Sequence, residues 1–506
     1  GYALDVSYRS DGGQRPNNDF ENVFLSAKIK EQITPQDSFY FQATYQRFEG
    51  GDLLQYYSQG DASRAVRVKE IQNPNIFAGY HHEWSPGNHT LFLAARLDDT
   101  LTIDDPGARV LFFQQANGET LKVETPGFAT GFRRELEAYS AELQQIIAVR
   151  SQTFVAGARY QFAFAETTNS LFRAGVSPPT PLSGTPQIDS DLWRVSLYGY
   201  DTWDILDELQ LTAGVTYDKL HYPVNADTRP ITDGETEKDQ FSPKIGMVWT
   251  PFRNTHLRGA YTRSLGGVFF DNSVRLEPTQ IAGFNQAFRS LIPESIAGLV
   301  PGTEFETWGV GLDHRFESRT YFVAEGEILE SRARRTVGVV TNFFFIPVPN
   351  RPSSRAQSLD FSEKSFALTL NQLLGDHWAA GARYRFSFAD FEGGFLDPGA
   401  TALDQNLNAT LQQLNLYAIY NLPCGFFSQF QALWTAQSNQ GSTREQPGDD
   451  FWQFNVYAGY RFPQRHAEVR VGLLNVTDRD YRLNPLNLYS ELPRDRTLTV
   501  SVKLNF

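Results

Sequence analysis

The sequence predicts an all-β protein: a transmembrane, antiparallel, up-and-down β-barrel of about 20 strands, within a range of about 18–22. Three observations predict it. Apolar and polar residues alternate along many segments of about 9–13 residues, the length of strand that crosses a bilayer at a tilt. Short and long connections alternate between these segments, and the tryptophans sit at segment ends. A soluble β-sandwich fits poorly, because its strands average about five or six residues.

The C-terminal segment shows the alternation most clearly. Leu498, Val500, Val502, Leu504 and Phe506 fall on one face of an extended strand, while Thr497, Thr499, Ser501, Lys503 and Asn505 fall on the other. Since successive side chains of a strand point to opposite faces, such a segment meets two different environments. The same pattern runs from Trp378 to Phe388 and from Leu209 to Asp218.

Composition and motifs exclude several classes of protein. The net charge of −13 argues against a nucleic-acid surface, and a mean hydropathy of −0.39 without a long apolar run argues against membrane helices. The single cysteine, Cys424, excludes a thiolate metal cage. His81 and His82 are adjacent, so a strand would direct them to opposite faces. We therefore expect no enzyme activity, no catalytic residue, no cofactor and no metal.

The connections predict the topology. Short ones lie at 85–87, 204–208, 251–254, 374–376, 423–425 and 463–465; long ones lie at 48–75, 98–133, 166–190, 220–239, 265–303, 332–363, 390–408, 436–450 and 480–494. Barrels of the outer membrane have short periplasmic turns and long extracellular loops, which places both termini in the periplasm. The loop 98–133 contains a further hairpin, because Asn117-Gly118 is a strong type I′ turn signal.

The tryptophans predict two belts at the membrane interfaces. Trp84, Trp203, Trp249 and Trp378 lie beside short turns, and Trp193, Trp308, Trp434 and Trp452 lie at the long-loop ends of strands. Tryptophan is enriched at both interfaces of a membrane. The partners expected from this arrangement are outer-membrane lipid and the machinery that assembles outer-membrane proteins.

The C-terminal half carries a family resemblance. The segment Gly472–Tyr481, with the letters LNVTDRDY at its end, resembles the penultimate strand of TonB-dependent outer-membrane receptors, and Ser242–Gly246 with Leu257–Arg263 is similar to a hairpin in the middle of their barrels. These receptors also end in an alternating strand with a terminal Phe, so the resemblance implies that Phe506 is the signal of the closing strand. Their N-terminal plug is not expected here, because strand character begins at Tyr2. We expect residues 1–506 to be one barrel domain, similar to plug-less barrels that are attached to periplasmic tetratricopeptide repeats.

The expected function is transport across the bacterial outer membrane: the barrel passes or receives a solute that the sequence does not identify. The alternative is the barrel module of a plug-less export or secretion conduit, whose periplasmic partner or repeat domain is missing. A plug, a repeat domain or another protein would then fill the lumen. Nucleic acid is not an expected partner.

The lumen of such a barrel requires filling. Twenty strands about 4.7 Å apart and tilted by about 40° enclose a bore about 40 Å wide, too wide for side chains to close. Arg159, Asp218, Lys244, Arg258, Asp313, Arg383 and Arg385 are expected to line it, either as ordinary solvated charges or as a path for an anionic solute. The loop 265–303 is the predicted occluding segment: its residues Ile281, Phe284, Phe288, Leu291 and Ile296 have roughly helical spacing, interrupted by Pro293.

Overall fold

A computed structural model describes residues 1–506 except 117–118, 174–186, 226, 268–273, 289–290, 344–350, 442–445 and 505–506. The strands are β1 Tyr2–Asp11, β2 Phe20–Gln32, β3 Asp37–Gly50, β4 Arg67–Ser85, β5 Asn88–Arg109, β6 Phe112–Ala116, β7 Glu119–Glu124, β8 Gly127–Val149, β9 Gln152–Arg173, β10 Gln187–Leu206, β11 Leu209–Pro223, β12 Glu235–Phe252, β13 Thr255–Leu265, β14 Gln280–Ile281, β15 Phe284–Asn285, β16 Glu304–Arg315, β17 Thr320–Phe343, β18 Arg351–Leu374, β19 Trp378–Phe395, β20 Gln405–Asn421, β21 Phe426–Gln440, β22 Asp450–Arg461, β23 Ala467–Leu474 and β24 Thr497–Leu504. The α-helix within the described residues is α1, Glu294–Ala297.

The strands form one 22-stranded sheet, apart from the small hairpin β14–β15. Within this sheet, every strand except β6 and β7 pairs with antiparallel neighbours in chain order. These twenty strands form the wall. This confirms the predicted up-and-down barrel. Within the described residues, β1 pairs only with β2 and β24 only with β23. The loop between β1 and β2 contacts the loop between β23 and β24: the Arg494 amide donates to Gln14 Oε1 at 2.8 Å. Phe506, the predicted closing-strand signal, lies outside the described residues.

The two faces of the wall differ as the alternation predicts. On β10 and β11, Leu197 opposes Tyr217 and both side chains are exposed, whereas the next pair, Tyr198 and Thr216, is buried. Large apolar side chains are exposed on the outer face of nearly every strand, and buried polar ones lie on the inner face. An exposed apolar band of this kind is the surface that lipid covers.

The connections alternate between short turns and long loops along the whole wall, as predicted. The boundaries of the long loops were wrong in places, since much of 98–133 and 332–363 is strand. Strands β17 and β18 have 24 residues each, about twice the length needed to cross a bilayer. Backbone pairing continues beyond the membrane because each additional residue satisfies another ladder hydrogen bond. The predicted hairpin in 98–133 is present as β6–β7, and its turn at 117–118 lies outside the described residues.

The eight tryptophans lie on the outer face, where their side chains are exposed or half-buried. Trp193 and Trp203 are ten residues apart on β10, which is roughly 33 Å along the strand and about 25 Å along the membrane normal at a 40° tilt. That distance equals the height of the apolar band in barrels of this type. Among the helices of the described residues, none has the length and apolarity to cross a membrane.

Candidate functional site

The predicted lumen residues occupy the inner wall but do not form one cluster. Arg159, Asp218 and Lys244 are buried, Arg258, Asp313 and Arg385 are half-buried, and Arg383 is exposed. Carboxylates neutralise several of these cations: Arg258 lies 2.7 Å from Asp313, and Arg385 lies 2.9 Å from Glu363. Asp218 pairs with Arg194 at 2.8 Å. The arrangement favours the first of the two interpretations, that of charges balanced locally along the lumen.

A long loop between β13 and β16 folds into the barrel. We call its described residues, 266–267, 274–288 and 291–303, inner loop A; they belong to the predicted occluding segment 265–303. The backbone amides of Leu276 and Glu277 donate to the Glu142 carboxylate of β8, both at 2.9 Å. Tyr198 of β10 donates to the same carboxylate at 2.8 Å. Glu142 is 1% exposed, so its buried carboxylate is hydrogen-bonded to the loop and to Tyr198 in place of water.

The side chain of Glu277 continues the anchor. It accepts hydrogen bonds from Tyr200 at 2.7 Å and from Thr216 at 3.1 Å. Lys244 of β12 lies 3.7 Å from Glu277 and donates to Gln286 at 2.5 Å. Lys244 is 1% exposed, so this buried ammonium depends on loop A for its partners.

Apolar contacts fix the loop against the wall, and within its described residues only Glu294–Ala297 is helical. Ile281 and Phe284 lie in the hairpin β14–β15 and are buried against Tyr198, Tyr200 and Ala260. Two glycines of the wall leave room for them: a Cβ on Gly246 would lie 2.5 Å from Ile281, and one on Gly309 would lie 2.4 Å from the Phe284 ring. The apolar residues with roughly helical spacing belong to a hairpin and to a single-turn helix that pack in two separate clusters, and they do not form one continuous helical face.

The second half of loop A covers another part of the wall, at β17–β20. Ile292, Ala297 and Val300 are buried with Leu359, Phe361 and Phe391 of β18 and β19, and Ile296 packs against the same cluster. Phe288 lies under the guanidinium of Arg275, 3.8 Å from it. Leu291 is partly buried. The loop therefore spans the interior from β8–β12 to β17–β20.

A second inward loop was not predicted as an occluding segment. Residues 475–496, between β23 and β24, form inner loop B, in which Leu483, Leu486 and Asn487 are fully buried. Asn487 donates to Ser387 at 3.2 Å and to the Ala409 carbonyl at 3.1 Å. Gln453 donates to the carbonyls of Arg479 and Pro493, both at 2.8 Å. The available signal was a pair of asparagines among leucines in a long loop, since buried amides bond to backbone groups that lack a ladder partner.

Burial inside loop B also affects its tyrosines. Burial raises the pKa of Tyr481 to about 12, although the nearby Arg494 guanidinium opposes the shift. Tyr481 donates to the Leu492 carbonyl at 3.0 Å and Arg494 lies over its ring at 4.2 Å. These contacts keep loop B folded on itself inside the barrel.

Two further segments narrow the long-loop end of the barrel. The hairpin β6–β7 crosses from β5 and β8 to add β6 as a parallel neighbour of β17, pairing Phe112–Gln115 with Val340–Phe343. Thr120 of this hairpin donates to Asp397 at 2.8 Å. The loop after β11, described at 224–225 and 227–234, also connects these two parts of the wall. Asp227 pairs with Arg134 at 2.8 Å, and Thr228 donates to the Thr336 carbonyl at 3.2 Å.

Within the part of the chain that the structure describes, no three His, Cys, Asp or Glu side chains form a group able to hold a metal ion. A close histidine pair that the sequence did not predict is His81 with His89, whose ring nitrogens lie 3.0 Å apart. The notable feature of the described interior is therefore a pair of loops anchored to the inner wall by buried polar contacts.

Comparisons with known proteins agree with this architecture. The copper transporter OprC aligns with all of this chain and 76% of its own, with a TM-score of 0.65 and 11% identity. The pyoverdine outer-membrane receptor FpvA from Pseudomonas aeruginosa PAO1 aligns with 100% of this chain and 74% of its own (TM-score 0.62, 12% identity). BauA, the ferric preacinetobactin receptor from Acinetobacter baumannii, aligns with 99% and 75% (TM-score 0.61, 12% identity). At identities this low, the structural likeness establishes the fold alone.

Among curated protein sequences, none matches this chain. The family model described as "TonB dependent receptor-like, beta-barrel" matches residues 7–476, which is most of the chain and includes all of its wall except β24 and the first residues of β1. The chain therefore belongs to the TonB-dependent receptor β-barrel family, whose members are transport barrels of the bacterial outer membrane.

Proposed function

We propose that this barrel takes up a solute that reaches it at the long-loop end, and that this end faces the outside of the cell. Both termini then lie in the periplasm. The three related structures carry or bind copper, pyoverdine and ferric preacinetobactin according to their names. By analogy, the solute proposed for this chain is a metal or a metal–siderophore complex.

The anchoring of inner loops A and B inside the wall carries this proposal. A barrel this wide without a filling would leak small solutes. Loop A is held by buried polar residues of β8, β10 and β12, and loop B by those of β19 to β22. A receptor barrel of this kind remains closed to free diffusion, and passage requires the loops or a further filling segment to move.

We propose that the short-turn end of the lumen is filled by something other than loops A and B. A plug, a periplasmic repeat domain or another protein partner would complete the closure at the short-turn end. Outer-membrane lipid covers the outer face, and the assembly machinery of the membrane inserts the chain. The comparisons give no support to the alternative of an export conduit.

Conductance in planar bilayers tests the closure. Deletion of 275–300, which removes most of loop A, should raise single-channel conductance severalfold and sensitize cells to large antibiotics, because the anchored segment no longer narrows the bore. Deletion of 442–445, in the connection between β21 and β22, serves as a control and should leave conductance near that of the wild type. An already large conductance that neither deletion changes would contradict closure by loop A.

Cysteine labelling of whole cells tests the orientation. The native Cys424 lies exposed in the short turn between β20 and β21, so a membrane-impermeant maleimide should not label the wild type. Ser353→Cys in a Cys424→Ser background should be labelled, because Ser353 lies in the part of β18 near the long-loop end. Labelling of the wild type without labelling of the variant would reverse the orientation.

A further inference from the structure

The wall has a notch at the long-loop end, between β12 and β17. The intervening strands β13 and β16 stop early: the ladder of β12 with β13 begins at Lys244, and the ladder of β16 with β17 stops at Arg332. Residues 235–243 of β12 and 333–343 of β17 therefore extend beyond the ladders with β13 and β16, the two strands that lie between them. We call the space between them the rim notch.

The rim notch is a built cavity of about 720 Å³, a size typical of sites for small molecules. Residues 236–238 of β12 and 332–336 of β17 line it, together with 224, 225, 227 and 228 of the loop after β11 and with 299, 301 and 304. Leu299, Pro301 and Leu359 give it an apolar portion. The bridge at its lower edge is the pair of Lys238 with Glu304, 2.9 Å apart.

Two guanidiniums in the notch have no carboxylate partner among the described residues. Arg335 is partly buried and donates only to neutral groups, the side-chain oxygen of Gln357 at 2.8 Å and the carbonyl of Ala297. Arg334 is exposed, and no ion pair within the described part of the chain includes it. A cation removed from water without a counter-charge is costly.

The carboxylates that line the notch are already paired. Glu304 pairs with Lys238 and Asp360 lies 3.6 Å from Arg332. Glu237 lies 3.0 Å from Lys219, and Asp227 belongs to Arg134. The local charge that remains uncompensated is therefore positive.

We propose that the rim notch binds an anionic group, a phosphate or a carboxylate, between Arg335 on the inner face of β17 and Arg334 on its outer face, since both residues line the cavity. Guanidinium groups match the geometry of both anions through paired N–H donors. Leu299 and Leu359 would contact an apolar part next to the anion. The anion belongs either to a soluble solute or to the headgroup of a membrane lipid. This site goes beyond the transport proposed above, because binding at the notch requires no passage through the lumen.

Two binding assays on the purified full chain test the proposal and separate the two sources. Calorimetric titration of the chain in detergent micelles with inorganic phosphate measures a soluble anion. Native mass spectrometry from nanodiscs containing phosphatidic acid and phosphatidylethanolamine measures preferential retention of an anionic lipid. Arg335→Met and Arg334→Met should each weaken binding by about tenfold, as expected for the loss of a charge-assisted contact. Arg335→Lys, which keeps the charge, should retain part of the affinity.

Arg133→Met is the matched control. It removes an exposed guanidinium of β8, paired with Glu135, that lies outside the notch, and should change binding less than twofold. Binding of phosphate that weakens in both notch variants supports a soluble ligand; retention of phosphatidic acid alone, lost in both variants, supports a lipid headgroup. Absence of binding in both assays overturns the proposal, and so does binding that neither notch variant weakens. If Arg335→Met fails to fold, the exposed Arg334 decides the outcome.

Discussion

Inner loops A and B both fold into the barrel, but different chemistry holds them. Loop A depends on buried charges: the carboxylates of Glu142 and Glu277 and the ammonium of Lys244. Loop B depends on neutral amides, chiefly Gln437, Gln453 and Asn487, which bond to backbone groups. A buried charge that loses its partner costs several kcal/mol, whereas one neutral hydrogen bond contributes about 1 kcal/mol.

The difference implies unequal roles for the two loops. Loop A is held by a few strong and mutually dependent contacts, so a change at one of them affects the whole segment. Loop B is held by many weaker contacts, so a single change should loosen it only in part. Loop A is thus the better candidate for a segment that moves during transport, and loop B for a permanent part of the wall.

The largest effect is expected from Lys244→Met. This substitution removes the buried ammonium beside Gln286 and Glu277, and Glu277 keeps Arg275, 3.7 Å away, as a cationic partner. We therefore expect a cost at the lower end of that for a broken buried charge pair, about 3 kcal/mol. Hydrogen exchange of the backbone amides in 274–288 should accelerate at least a hundredfold, while exchange in 475–496 stays unchanged. The control is Lys219→Met, which removes an exposed lysine of β11. Equal exchange of 274–288 in both variants would contradict a charge-dependent anchor.

A smaller effect is expected from Gln437→Leu in the anchor of loop B. The amide of Gln437 donates to the Asn484 carbonyl and to Asn487, both at 3.0 Å, and its oxygen accepts from the Asn484 amide at 2.6 Å. Because Gln453 and the other contacts remain, the loss should be about 1–2 kcal/mol. Exchange of 483–488 should rise roughly tenfold.

The control for this change is Gln440→Leu, at the exposed end of the same strand, which should leave loop B unaffected. An acceleration in loop B as large as the one expected for loop A would show that its contacts are also interdependent. The comparison between the two loops would then fail.

Much of the wall could be predicted from the sequence because the alternation of apolar and polar residues that marks each strand involves only neighbouring residues. Each residue of a strand meets either the outer apolar band or the interior, so the side-chain pattern repeats every two residues. Leu197 and Thr216 fall on the faces that their sequence positions predict. The turn signal at Asn117-Gly118 likewise predicted the hairpin β6–β7 from neighbours in sequence.

The position of that hairpin could not be predicted. Its pairing with Val340–Phe343 depends on β16 ending early, which exposes an edge of β17 more than 200 residues away in sequence. The same early ending creates the rim notch, in which Arg335 has no carboxylate partner among the residues that the structure describes. No local pattern in β6 or in β17 encodes the length of β16.

The sequence by itself determined the alternating strands, their order and the apolar character of loop A, since all three depend on residues close together in the chain. Only the tertiary structure decided where the apolar residues of loop A pack, because the sockets at Gly246 and Gly309 lie on strands of the wall outside the loop. It also decided which partners the inner-wall charges have: Glu142 accepts hydrogen bonds from Leu276 and Glu277, which are 134 and 135 positions further along the chain. Burial makes such contacts strong, and burial is a property of the assembled barrel.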